Sequence, residues 1–307
     1  MTTRRILCPT DFSEFSNRAV EHAVAHAGWT QSELTLLHVN PFFFPPSGGA
    51  PYTPAGMPAD AATRAQLLDQ LQAAARPARE AGLDPQLVLA EGDPSEEILR
   101  QAHGTATDLV VMGTHGLRGF DRWILGSVAN RVAHRARCAV LTVPRPPEGA
   151  RPGAGPLYEK ILCAVELSGS EPVIERALDI ARATRAPVTL LHVLEDLPEH
   201  EAAARRARLD WPAFHQSLEE NARHRLQDAA AGCPADGARV EQALVSGRPY
   251  REILKRAGPG GASLVVMGIH GGSPLGRLFF GSTAFQVLRQ ATCPVLTVRL
   301  ADGGRSA

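Results

Sequence analysis

The residues in this chain best suited to chemistry are two copies of one loop. Gly113-Thr-His-Gly116 is followed after nine residues by Gly126-Ser127, and Gly268-Ile-His-Gly271 is followed after nine by Gly281-Ser282. Each copy succeeds an apolar run (Leu109-Val-Val-Met112, Leu264-Val-Val-Met267) and precedes a helical pattern that closes on Cys-x-Val-Leu-Thr-Val. A buried strand, a glycine loop and a helix N-terminus in that order form an anion site. The first helical turn has N–H groups without acceptors, and glycine lets a phosphate approach the main chain. Recurrence of the whole arrangement argues against chance.

Other polar groups near the loops have two readings each. His115 and His270 either face the phosphates or support the loop by hydrogen bonding. Arg122 and Arg277 hold equivalent places between the glycines, where arginine suits phosphate contact; a solvent-facing turn is the alternative. Trp123 reads as packing. His38 and His192 sit in apolar strands and read as satisfied core histidines rather than ligands. Several chemistries have no support: Gly-x-x-x-x-Gly-Lys-Ser/Thr, Gly-x-Gly-x-x-Gly and Gly-x-Ser-x-Gly are all absent. No catalytic base with metal-binding carboxylates accompanies the loops.

The elements that must position these loops follow from the repeat. The loops lie 155 positions apart, and the same step relates Ile6-Leu-Cys8 to Ile161-Leu-Cys163 and Cys138–Val143 to Cys293–Val298. Leu36-Leu-His-Val39 and Leu190-Leu-His-Val193 match one position closer. Units of this size are duplicated domains, not solenoid repeats. Pro, Gly and Ala dominate from Pro144 to Pro156, which gives domains over 1–145 and 158–301 joined by a linker at 146–157. In the first half, strands are predicted at 5–10, 34–39, 87–90, 108–112 and 139–143. Helices are predicted at 15–28, near 61–82, at 94–103 and at 127–136. Continuous apolar strands alternating with helices predict an α/β fold: an open, mostly parallel, doubly wound sheet in each half, with ligands outside the carboxyl ends of the strands. The stretch from Pro41 to Pro54 cannot be regular; Phe42–Tyr52 is either a lid or a surface loop. Residues 199–227 predict a solvated helix pair broken at Trp211-Pro212.

At 307 residues, with 32 basic and 32 acidic side chains, the chain is long enough for two domains and formally neutral, which argues against a nucleic-acid partner. No apolar run approaches the roughly 20 residues of a membrane span. Pro9 and Asp11 interrupt the stretch after Arg4 and Arg5, so no signal peptide is expected and the cytoplasm is the expected location. The paired cysteines Cys8, Cys163, Cys138 and Cys293 read as small buried hydrophobes and Cys233 as a loop residue, with no disulfide or zinc framework expected.

Strand, Gly-x-x-Gly, nine residues, Gly-Ser, helix and closing Val-Leu-Thr-Val strand, all present twice, resemble the universal stress protein family in its tandem two-domain form. The resemblance runs from about Arg4 to Arg299. It implies two Rossmann-like domains of the adenine-nucleotide-binding type, with ATP, ADP or AMP as ligand, with or without Mg²⁺. Carried over residue by residue, it implies that Gly113, His115, Gly116, Gly126 and Ser127 surround the phosphates and ribose, flanked by Met112 and Val128. Asp11, after Pro9 and Thr10, would contact the nucleoside, and Val39 would lie against adenine. The second-half counterparts are Ala164, Glu166, Val193, Met267, Gly268, His270, Gly271, Gly281, Ser282 and Thr283. Glu166 departs from the family aspartate, and Ala164-Val165 replace Pro9-Thr10, so the first domain is the expected better site.

The resemblance further implies pairing of the two domains through their closing strands; a homodimer of whole chains is compatible with it. The expected role is a nucleotide-dependent sensor or regulator in the stress response with little or slow ATP turnover. The alternatives are a nucleotide-independent interaction module and a slow ATP hydrolase.

Overall fold

The computed structural model describes residues 3–41, 60–114, 125–145, 156–195, 211–233, 235–270 and 281–300, with the backbone alone at Trp211 and His270. The readings of Phe42–Tyr52, His115, Gly116, Arg122, Trp123, residues 199–210, Gly271 and Arg277 therefore lie outside the described residues.

The chain divides into two compact units, Thr2–Arg145 and Pro146–Ala307. The first contains β1 (Arg5–Pro9), α1 (Glu14–Thr30), β2 (Glu33–Asn40), α2 (Ala61–Ala74), α3 (Arg76–Glu80), β3 (Gln86–Glu91), α4 (Pro94–Gly104), β4 (Leu109–Gly113), α5 (Ser127–Arg135) and β5 (Ala139–Val143). The second contains β6 (Ile161–Ala164), α6 (Glu171–Thr184), β7 (Val188–Leu194), α7 (Trp211–Ala231), β8 (Val240–Ser246), α8 (Pro249–Arg256), β9 (Leu264–His270), α9 (Ser282–Gln290) and β10 (Val295–Leu300).

Within each unit the strands are parallel and follow one order, β3-β2-β1-β4-β5 and β8-β7-β6-β9-β10. The chain winds outward from β1 through β2 to β3, then returns to the far side of β1 for β4 and β5. The order of winding therefore reverses between β1 and β4, and between β6 and β9 in the second unit. α1 packs on β1, β4 and α3, whereas α4 and α5 pack on each other. The strands at the middle of each order are apolar runs, mostly buried, though β7 is half-buried toward its carboxyl end; β3 and β8, at one end of each order, are mostly half-buried.

Local chemistry sets the element ends. Ser13 caps α1 by accepting from the Ser16 N–H, and Asp93 caps α4 by accepting from Glu96, with Pro94 at the first helical position, where a missing N–H costs nothing. The single helix predicted near 61–82 is split at Ala75, because Pro77 lacks the N–H that would continue α2 and its ring crowds the carbonyl of Ala73. Pro212 lies in the first turn of α7, where proline is tolerated, and the residues that would form the first member of the expected helix pair lie outside the described ones. Cys233 lies beyond α7 as expected, but it is buried, and all five cysteines are free thiols.

Both units solve the same problems at matching positions. The Asp108 carboxylate accepts from the Arg4 and Arg5 N–H groups at 2.8 and 3.0 Å, and the Ser263 hydroxyl accepts from Glu159 and Lys160 at 2.7 and 3.1 Å. Gly92 and Gly247, 155 positions apart, adopt φ of +143° and +145°, and each N–H bonds to the end of the neighbouring strand, at Asn40 O and Leu194 O. A Cβ on Gly92 would lie 3.1 Å from Glu97 Cγ, and one on Gly247 3.3 Å from Glu252 Cγ. Substitution of either glycine by alanine is therefore expected to cost about 1–3 kcal/mol, read as a lower denaturation midpoint with the slope unchanged.

His22 is buried in α1, and burial, then the nearby His26 and Arg18 charges, lower its pKa from 6.5 to about 3. The unfolded chain binds this proton more tightly than the folded one. The stabilising contribution of neutral His22 is thus complete above pH 6.5 and declines as pH falls toward 3, by about 1.4 kcal/mol per pH unit. Unfolding titrations between pH 6.5 and 5 should have a shallower slope in His22→Gln than in the unaltered chain.

Candidate functional site

The first unit gathers its candidate residues at the carboxyl ends of β1, β2 and β4, beside the reversal in strand order. Pro9 pairs with Leu37 in β2, and the Thr10 N–H continues that ladder to Leu37 O at 2.9 Å. Asp11 follows two residues after Pro9, as Val39 follows two after Leu37. On the other side, Leu7 pairs with Val110, which brings Pro9 level with Met112. Val39 and Met112 are buried, Gly113 and Asp11 are half-buried, and Gly113 pairs with Val143.

The Asp11 turn is tightly held. The Asp11 carboxylate accepts from the Ser13 N–H at 3.1 Å and the Ser13 hydroxyl at 2.5 Å. Thr10 works as a hub: its hydroxyl pairs with Ser16 Oγ at 3.0 Å and accepts from the Phe12 N–H at 3.1 Å, while its carbonyl is 2.8 Å from His38 Nδ1. That last contact makes Nδ1 the protonated nitrogen of neutral His38. Burial lowers the His38 pKa, opposed by the Thr10 carbonyl and the Asp11 charge. Phe12 has φ of +64°, a left-handed conformation that costs an ordinary side chain about 1–2 kcal/mol. Its ring stacks on His38 with centroids 4.2 Å apart and planes 24° from parallel.

The helix end of the site is α5. Gly126 is its N-cap, at φ −54° and ψ 144°, and no side chain caps the helix. The Gly126 N–H itself is spent on Thr114 O at 2.8 Å, which staples the helix start to the end of β4. The exposed Ser127 hydroxyl and the main chain of Ser127 and Val128 remain at the first turn. Such a turn attracts an anion by roughly 0.3–1 kcal/mol per favourable interaction, so several must act together.

The second unit repeats the frame but not the site. Gly281 caps α9 with the same backbone, φ −54° and ψ 143°, and again no side chain caps the helix. No described atom lies within 4 Å of the place its Cβ would occupy. Among the described residues neither conformation nor packing requires glycine there. Ser282 is exposed and Thr283 half-buried beside it. Gly268, however, does not begin a loop. β9 runs on through His270, with Ile269 paired to Arg299 and the His270 backbone to Leu300. The first unit stops earlier: its last ladder bond is the Thr114 N–H to Val143 O at 3.0 Å, and the Thr114 carbonyl, next in line to accept from β5, accepts from the Gly126 N–H instead.

The extension fills space. A Cβ on Gly268 would meet Leu300 Cδ1 at 2.8 Å and Val173 Cγ2 at 3.2 Å, which gives this glycine a packing role. Among the described residues, the Gly281 N–H makes no bond matching Gly126 to Thr114. The first loop differs too. Glu166 is exposed, and Ser170 binds its main chain, donating to Glu166 O at 2.7 Å and accepting from its N–H at 2.9 Å. Ala164 ends β6, Val193 is half-buried in β7 where Val39 is buried, and Met267 is buried like Met112. His192 Nδ1 lies 2.9 Å from Val165 O, so both strand histidines are satisfied core residues, as the sequence indicates.

The sequence reading missed Phe12, Thr10 as a hub, and the Gly92/Gly247 pair. The repeat carries a signal for the last, since Gly-x-Pro-x-x-Glu-Ile-Leu occurs at Gly92–Leu99 and Gly247–Leu254.

The chain belongs to the universal stress protein family, whose model matches residues 2–144 and 157–299. It is 34% identical over 153 residues to universal stress protein MJ0531 of Methanocaldococcus jannaschii, a match covering 47% of this chain and 83% of that protein. It is 30% identical over 196 residues to universal stress protein Rv2005c of Mycobacterium tuberculosis, covering 62% of each. The crystal structure of a universal stress protein from Archaeoglobus fulgidus superposes with a TM-score of 0.68 and 22% identity, over 97% of this chain and 99% of that one.

The two glycines of the second unit should therefore respond differently to alanine. Gly268→Ala forces Leu300 and Val173 apart and should cost about 1–3 kcal/mol. Gly281→Ala meets nothing and should cost under about 1 kcal/mol, the difference between glycine and alanine at an N-cap. Chemical denaturation of the full chain measures both.

Proposed function

We propose that the first unit binds an adenine nucleotide across the carboxyl ends of β1, β2 and β4, and that the chain acts as a nucleotide-responsive stress protein with slow turnover or none. The observation that carries this reading is the convergence of Asp11, Val39, Gly113 and the uncapped start of α5 at the reversal in strand order. That is where an open parallel sheet receives its ligand. In this reading Asp11 accepts from the ribose hydroxyls, Val39 lies against the base, and the α5 N–H groups with Ser127 hold the phosphates. ATP, ADP and AMP share the recognised chemistry, and Mg²⁺ would accompany the longer phosphate chains. Slow turnover follows from the lack of a phosphate-loop lysine in the sequence.

The second unit is proposed as the weaker or altered site, because Glu166 is exposed and β9 continues past Gly268. Each closing strand, β5 or β10, ends the strand order of its own unit. An open edge seeks a partner, so pairing of the two within the chain is part of the proposal, with a homodimer as the other arrangement. The proposed location is the cytoplasm; among the described residues no helix is long and apolar enough to cross a membrane. A second reading, an interaction module, is favoured by Phe214 and Leu218, which lie one turn apart on α7 and are 48% and 40% exposed.

Calorimetric titration of nucleotide-stripped full chain with ATP and Mg²⁺ separates these readings. We expect one tighter site, lost in Gly126→Val, weakened but still measurable in Asp11→Ala, and retained in Gly281→Val. Two equal sites would overturn the ranking of the units. Absence of heat and of any ligand-induced rise in melting temperature would overturn the nucleotide reading and leave the α7 surface as the better account.

A further inference from the structure

Phe12 is the unexplained residue of the first unit. It occupies a left-handed conformation at φ +64° that glycine adopts without strain, and it does so beside the acid at the end of β1. The second unit avoids the problem. Its corresponding turn is two residues longer, and the positive φ falls on Gly169, at +68°, while Leu167 stands in the place of Phe12. A strained side chain persists only where its surroundings over-determine it. Here three contacts do so: the Phe12 N–H bonds to Thr10 Oγ1 at 3.1 Å, the ring stacks on His38 at 4.2 Å, and His38 Nδ1 is 2.8 Å from Thr10 O.

Those contacts join the carboxyl ends of two strands that pair by a backbone ladder. Phe12 follows Asp11 directly, and His38 precedes Val39 directly. The ring stack thus fixes the end of β1 against the end of β2 at the level of Asp11 and Val39. The Ser13 bonds to the Asp11 carboxylate then set its direction from the other side of the turn. The second unit keeps the histidine contact, His192 to Val165 O at 2.9 Å, but has no aromatic ring at Leu167 to complete it.

We propose that Phe12 is a positioning residue that, through its stack on His38, holds the Asp11 carboxylate at a fixed distance from the Val39 segment and so sets the affinity of the first unit for the nucleoside part of its ligand. This rests on the nucleotide reading above. The strain at Phe12 is retained because a glycine at this position would release the turn from β2. An ATP molecule entering the site then meets an acid already placed, and less ordering is left for binding to supply.

The test uses the nucleotide-stripped full chain, ATP as the probe, and the variants Phe12→Gly, Phe12→Leu and Phe12→Tyr, each alone and with Asp11→Ala. We expect Phe12→Gly and Phe12→Leu to weaken ATP binding about tenfold, equivalent to about 1.4 kcal/mol, and Phe12→Tyr, which keeps the stack, to restore it. The ligand-free melting temperature of Phe12→Gly should not fall below that of Phe12→Leu, because glycine relieves the backbone. In the Asp11→Ala chain the further loss on Phe12→Gly should shrink below about twofold, which a merely structural residue would not produce. If the unaltered chain binds ATP and Phe12→Gly binds it as tightly, the positioning role is wrong while the nucleotide reading stands. If the tenfold loss persists undiminished without the Asp11 carboxylate, Phe12 acts by another route and the proposal fails. If the unaltered chain does not bind ATP, the nucleotide reading and the positioning role fall together.

Discussion

A parallel ladder continues only while each strand offers the next an N–H and a carbonyl, and the point where it stops decides where main chain becomes available to a ligand. In the first unit the Thr114 N–H makes the last ladder bond, to Val143 O, and the Thr114 carbonyl accepts from the Gly126 N–H, so α5 starts against the strand end. In the second unit the ladder gains two rungs, through Ile269 and His270, and Leu300 is carried into the space beside Gly268. The destination of one carbonyl thus separates a strand that stops at the helix start from one that runs on. The rest of each unit is arranged around this edge.

Opposite the ladder end, the first unit concentrates its polar bonding on a single threonine. Thr10 uses its N–H, its carbonyl and its hydroxyl to bind Leu37, His38, Ser16 and Phe12, and it is buried. A buried polar group without partners costs about 1–3 kcal/mol, whereas a fully satisfied network rigidifies what it joins. The left-handed Phe12 is stable on that support. The second unit has Val165 at this place, which offers the same carbonyl to His192 but no hydroxyl to the turn. There a longer loop and Gly169 do the work instead, and its acid stands exposed.

The parts of the fold legible in the sequence were those carried by continuous apolar runs and glycine spacing. The strands of the first unit, the two strand histidines and the glycine N-caps of α5 and α9 stood where the pattern put them. Element ends were less legible, because they depend on single-residue stereochemistry. Pro77 splits the helix predicted near 61–82. The Gly268 loop was misread because Gly-x-His-Gly is the same in both halves: in the first the Thr114 carbonyl is taken by the Gly126 N–H, whereas in the second the ladder runs on through Leu300. Phe12 was illegible because nothing in its identity announces a positive φ; only the partner ring of His38 makes that conformation tenable.

The duplication also separates fold from ligand chemistry without reference to any other protein. Where the halves agree, the agreement concerns backbone that must be held: Gly92 with Gly247, the tether at Asp108 with that at Ser263, His38 with His192, and the identical caps at Gly126 and Gly281. Where they diverge, the differences cluster at the carboxyl edge: Asp11 against Glu166, Phe12 against Leu167, Pro144 against Arg299. They also reach the helix beside it. Asp93 and Glu96 on α4 pair with Arg131 and Arg135 of α5, whereas the matching positions on α8 are Arg248 and Arg251, facing a helix with Gln286 and Gln290. Exposed ion pairs of this kind contribute little to stability, so the exchange of sign leaves the scaffold intact while changing the potential at the edge where an anion would arrive. A frame held by backbone bonds can tolerate such changes in one copy, while the other keeps the geometry on which the proposed nucleoside site rests.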